Sequence, residues 1–240
     1  MRLSVLILPL LLVAALYPRD KQPGVILWAW ERPEDLTFID PQKTEVAFLA
    51  KTITLRGDTI GVRPRLQPLR LAPGTKLTAV VRIETDRREQ PSLSLAQLAQ
   101  TAREVCSSAK EVAFIQIDFD ATSSERNFYR SLLRSVRQEL PASTALSITA
   151  LASWCAGDDW LTDLPIDEAV PMLFRMGVDQ RQFQLRLETG QPFGSSICQN
   201  SAGVSTDEPV TAPPVNRLYI FSPEPWSKSS FAAAMETYQR

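Results

Sequence analysis

Histidine is absent from all 240 residues of the chain, and that absence removes much familiar chemistry at once. The commonest general base, the serine and cysteine triads and the usual zinc ligand all go with it. Any reaction must rest on Asp, Glu, Lys, Arg, Tyr or Cys, and with 27 acidic residues the carboxyl group is the natural candidate. A basic surplus is missing too. The formal net charge is −1 and the pI about 5.7, so no cationic field is available to neutralise a phosphate backbone and nucleic acid is not expected as a partner. The residues imply no metal and no organic cofactor. Internal repeats and low-complexity tracts are also lacking. Cysteine is scarce: only Cys106, Cys155 and Cys198 occur, an odd number that permits one disulfide and one buried thiol.

What is present begins with Met1-Arg2 and the apolar run Leu3–Leu16, followed by polar Tyr17–Lys21. A basic start and an apolar stretch short for a bilayer suit a secretory signal, with an uncleaved membrane tether as the alternative. Residues 1–18 are therefore expected to be a signal peptide or anchor, and the chain to be exported to a periplasmic or extracellular location. In that oxidising setting Cys155 and Cys198, both in loop-like contexts, are the expected disulfide pair. Cys106, on the apolar face of a helical pattern, is the expected buried thiol.

Residues 22–240 suit a single domain, expected to be a monomer. One α/β barrel is the commonest single-domain solution near this length. Eight short apolar runs support it: Val25–Trp30, Val46–Leu55, Leu77–Ile83, Ala113–Phe119, Ala145–Leu151, Ala169–Phe174, a weak one near Ser195–Gln199, and Arg217–Phe221. Helical patterns follow at least three of them, at Ser94–Ser107, Ser124–Glu139 and Lys228–Tyr238. Strands alternating with helices imply parallel pairing and crossover connections. The expected fold is a (β/α)8 TIM-like barrel, irregular in its crossovers. Thr52–Leu71, with Arg56-Gly57-Asp58 and two prolines, reads as a β-hairpin excursion in place of a helix.

The stretch Phe114–Asp120 carries the most chemical information. Period-two alternation puts Ile115, Ile117 and Phe119 under the helices and Gln116, Asp118 and Asp120 on the lumen face. Barrel active sites lie at the C-terminal ends of the strands, where other segments bring matching groups: Trp28, Trp30 and Glu31 from the first strand, Arg82 from the third, Arg175 from the sixth and Trp226 after the eighth. Indole rings stack on the apolar faces of sugars while carboxylates and arginines serve the hydroxyls, so the mouth suits a glycan or other small polar ligand. Trp28 fits core packing equally well. Asp207 and Glu208, beyond the seventh strand, face the fourth strand across the mouth and could be base or nucleophile to Asp120 as general acid, with Asp118 beside it.

Taken together, Val25–Glu31, the Arg82 strand, Ile115–Arg126, Ser147–Cys155, Val170–Gly177 and Gly203–Pro209 resemble an uncharacterised family, the DUF3142 domain of unknown function, described as secreted bacterial barrels related to glycoside hydrolases. The resemblance implies a barrel fold and a glycoside hydrolase-like site. More distantly, Asp118-Phe119-Asp120 resembles the chitinase-like pattern, in which a general acid stands two residues beyond the last Asp. Here Thr122 stands there, and a Thr hydroxyl cannot protonate a leaving group at neutral pH. Three readings remain open: Asp120 takes the acid role, Glu125 reaches back, or the barrel binds glycans without cleaving them.

Overall fold

The computed structural model describes residues 24–177, 180–191 and 193–238. The N-terminal segment read as a signal or anchor lies outside these residues. Among the described residues no helix is long and apolar enough to cross a membrane.

Eight parallel strands close on themselves. Their order around the barrel is β1 (Gly24–Ala29), β11 (Arg217–Phe221), β10 (Ser201–Ser205), β9 (Glu168–Met172), β8 (Ala145–Leu151), β7 (Phe114–Asp118), β6 (Leu77–Thr85) and β3 (Thr44–Arg56), and pairing of β1 with β3 completes the ring. Closure leaves no exposed edge on the barrel proper. The seventh barrel strand differs from its expected place. Ser196–Cys198 is a 3-10 turn, and the strand begins at Ser201. Ser201, Gly203 and Ser205 face inward, and this small-residue strand carries little of the β-branched signature by which strands are recognised.

The crossovers are uneven. After β6 comes α1 (Leu95–Cys106), started by Ser94, whose side chain accepts from the Gln97 amide; this satisfies one of the orphan donors of the first turn. After β7 comes α2 (Arg126–Glu139), which buries Phe128, Tyr129, Leu132, Leu133 and Val136, the spacing of a single helical face. Ser124, at which the helical pattern in the sequence opens, does not cap it. Glu125 holds the cap position without a capping bond, and its carboxylate instead accepts from the Thr122 amide and hydroxyl, both at 2.7 Å. The short α3 (Ala152–Gly157) follows β8, α4 (Gln180–Glu188) follows β9, and α5 (Lys228–Tyr238) follows β11.

The first two crossovers contain strands. Between β1 and β3 lies β2 (Glu34–Leu36); beyond β3 lie β4 (Thr59–Pro64), antiparallel to β3, and β5 (Leu69–Leu71), which pairs with β2. This is the expected hairpin excursion. Gly57 makes its turn in the left-handed region at φ 45°, which glycine enters at no steric cost.

Two cores result. A large one lies between the strands and the outer shell and includes Ile115, Ile117 and Phe119 with Tyr129, Leu132 and Val136. A small one fills the lumen with Ile26, Trp28, Ala47, Val80, Val170 and Tyr219. The alternation read from Phe114–Asp120 matches this division. Below the lumen core, at the N-terminal ends of the strands, Glu168 accepts from Ser147, Ser201, Arg217 and Tyr219 at 2.5–2.9 Å. Arg217 also reaches Glu45 at 3.1 Å and covers the Phe114 ring at 4.4 Å. Burial lowers the Arg217 pKa, but Tyr219, Glu168 and Glu45 outweigh it and hold the pKa above the usual arginine value. The barrel is thus closed at its base by a saturated ionic layer.

Candidate active site

At the opposite end the lumen opens into a cavity of about 450 Å³. Its floor is Trp28, which lies across the lumen because β10 has no side chain at Gly203; a Cβ there would stand 2.7 Å from the indole. The indole N–H donates to Gln116 at 2.9 Å, and Gln116 donates in turn to Ser147 at 3.1 Å. Gln116 therefore sits beneath the cavity, tying its floor to the ionic base layer. Trp30, Phe174 and Phe221 form an aromatic wall, with Phe174 and Phe221 stacked at 5.7 Å.

The polar face comes from adjacent strands. Register pairs Arg82 of β6 with Asp118 of β7, and their side chains meet at 3.3 Å. The other Asp118 oxygen accepts from the Thr149 hydroxyl at 2.8 Å. Arg82 also holds Glu84 at 2.6 Å and lies 5.8 Å from the Trp30 ring centroid. Asp118 is buried, and its pKa is raised: burial outweighs the pull of Arg82, and the neighbouring Asp120 adds repulsion. Burial is opposed on Arg82 by Asp118, Glu84 and Asp120, which together raise its pKa.

Asp120, two residues past Asp118, lines the same cavity. Among the described residues it makes no hydrogen bond and no ion pair. Its carboxyl reaches solvent, yet the surrounding walls limit hydration enough to raise its pKa, with Arg82 pulling the other way. A carboxyl of this kind is available for proton exchange with a ligand.

The remaining expected site residues are divided. Arg175 lines the cavity with its guanidinium 5.3 Å from the Phe221 ring centroid, in the left-handed backbone region at φ 52°, where a non-glycine residue is strained. Asp207 lies 3.8 Å from that guanidinium and accepts from the Ser205 hydroxyl, and Glu208 accepts from the Arg175 amide at 2.8 Å. Both carboxylates are thus engaged on Arg175, and neither lines the cavity. Glu31 is also outside it, paired with Arg63. Trp226, expected to offer its face at the mouth, is instead buried in the outer core, where its indole donates to the Trp28 carbonyl at 3.1 Å; the chain after β11 turns back over the barrel rim and carries Trp226 beneath it. Cys155 and Cys198 are joined by a disulfide with Cα atoms 5.9 Å apart, and Cys106 is a half-buried free thiol, its pKa pushed up to about 11 mainly by burial.

Thr149, Phe174 and Phe221 were not singled out in the sequence as site residues. Their signal is the strand period: they keep the parity of Ser147, Val170 and Tyr219, which the closed barrel turns inward. No group of three or more potential metal ligands occurs among the described residues.

No curated protein matches the sequence. Among solved structures, the chain is similar to the Bacillus cereus spore cortex-lytic enzyme SleL, with a TM-score of 0.46 and 15% identity over 79% of this chain and 52% of that one, so that it spans about half the length of that protein. Residues 73–171, which hold β6, β7, β8 and most of β9 and so the Arg82, Asp118, Asp120 and Thr149 side of the cavity, match the model of the family described as a domain of unknown function, DUF3142.

Proposed function

We propose that this chain is a carbohydrate-active barrel of glycoside hydrolase type, acting on a cell-envelope or extracellular glycan, with Asp120 exchanging the proton at the glycosidic oxygen. The observation that carries this reading is an unpartnered carboxyl with a raised pKa facing a cavity walled by Trp30, Phe174 and Phe221. Asp118 is spent on Arg82 and Thr149, so it serves to set the charge around Asp120 and to hold Arg82 against Trp30. An exported location is part of the proposal, and the Cys155–Cys198 disulfide supports it, because such bonds persist in oxidising compartments.

A non-catalytic glycan-binding barrel is the second reading. The engagement of Asp207 and Glu208 on Arg175 favours it, since it leaves the cavity without a second carboxylate across from Asp120. Turnover of aryl glycosides and envelope glycans separates the two. If Asp120 is the acid, Asp120→Asn lowers kcat by about 10²- to 10⁴-fold while glycan affinity stays within about threefold, because the amide keeps the shape and loses the proton. Wild-type protein that binds glycans and cleaves none leaves the second reading standing; unchanged turnover in Asp120→Asn removes the assigned acid.

A further inference from the structure

We infer that Arg65, in the excursion outside the barrel, is a positioning residue that fixes the Trp30 wall of the cavity; the inference rests on the carbohydrate reading for what that wall contacts. Strand β1 ends at Ala29, and beyond it the chain leaves the sheet, so its carbonyls lose their ladder partners. The Arg65 guanidinium replaces them. It donates to the carbonyls of Ala29 at 3.1 Å, of Trp30, and of Arg32 at 2.6 Å, while its Nε donates to Gln67 at 3.0 Å.

Arg65 is itself anchored by an irregularity in the barrel. The β3–β6 register slips between Leu49 and Lys51, leaving Ala50 without a partner on β6, as a bulged residue is. The freed Ala50 carbonyl accepts from the Arg65 amide at 2.8 Å. A second clasp holds the same loop from the other side: Arg32 donates to the carbonyls of Pro223, Ser222 and Glu224 at 2.7–2.8 Å and pairs with Glu34. Of the two guanidinium groups, only that of Arg65 reaches the Trp30 carbonyl, which also accepts from the Arg32 amide at 2.9 Å. A planar fork with fixed donors can hold several carbonyls at once, whereas an ammonium offers a single point of charge.

The test uses the full chain labelled with 5-fluorotryptophan, with the Trp30 resonance assigned by its loss in Trp30→Phe. Arg65→Met is expected to shift or split the Trp30 line and expose it to acrylamide, while the lines of Trp154 and Trp160, on the far side of the outer core, stay in place. A purely global loss of stability would not single out Trp30. Chitohexaose and cellohexaose serve as binding probes, and affinity for whichever the wild type binds is expected to fall about tenfold, equivalent to about 1.4 kcal/mol. If Arg65→Met does not fold, Arg65→Lys is read in the same way. Movement of the Trp30 line when neither probe binds the wild type supports the positioning role and counts against the carbohydrate reading. An unmoved Trp30 line, or an unchanged affinity for a probe that the wild type binds, overturns the positioning role.

Discussion

Asp120 binds its proton more tightly in the folded protein than an ordinary Asp does, and this has a sign for both activity and stability. A raised carboxyl pKa means that the native state holds more protons than the unfolded chain between the ordinary value of about 3.9 and the raised one, so stability falls as pH rises through that window. Asp120→Asn is therefore expected to melt no lower than the wild type at pH 7, and the difference should close below about pH 4; a variant that melts lower at pH 7 contradicts the assignment. As a general acid, Asp120 would set the alkaline limb of kcat/KM. Because Arg82 lowers its pKa, Arg82→Gln should move that limb to higher pH, which a pH–rate profile measures directly. Gly203 gives a different kind of prediction. Gly203→Ala pushes a Cβ against Trp28 and should cost about 1–3 kcal/mol in chemical denaturation, with loss of ligand affinity as the cavity floor tilts.

At the scale of elements, the strands were legible wherever β-branched residues alternated or ran together. The seventh was not, because Ser201-Ala202-Gly203-Val204-Ser205 holds its inward positions with small residues while nearby Ser195–Gln199 offered an equally weak run. The excursion was legible from its Gly and Pro turn signals, but its service to the mouth was not. Nothing in the local sequence marks Arg65 as different from Arg63, which pairs with Glu31, and only the closed barrel brings the β1 carbonyls within its reach. The ionic base layer was missed for the same reason: Glu45, Glu168 and Arg217 come from three strands and converge only on closure. Breaking it with Glu168→Ala removes the shared acceptor of four donors and leaves Arg217 with Glu45 as its remaining acid. Equilibrium unfolding should register a loss of about 3 kcal/mol, and a loss below about 1 kcal/mol would mean that the layer is not a stabilising plug.

For the whole molecule, the barrel and the location of its mouth followed from strand count, alternation and the rule that barrel sites sit at C-terminal strand ends. Which side chains share the cavity did not follow, because a residue beyond a strand end goes where the loop takes it. Asp120 stays in the cavity two residues past β7, whereas Trp226, five residues past β11, is buried in the outer core. The disulfide joins segments 43 residues apart, and by loop-closure entropy its reduction should cost up to about 4 kcal/mol, readable as a lower denaturation midpoint in dithiothreitol. The most direct test of the central claim is a carbon-13 titration of the Asp120 carboxyl, assigned with Asp120→Asn, in the absence and presence of chitohexaose or cellohexaose. A pKa above the ordinary Asp value that moves when an oligosaccharide is added is the predicted result; an ordinary pKa with no response to either sugar would contradict the account.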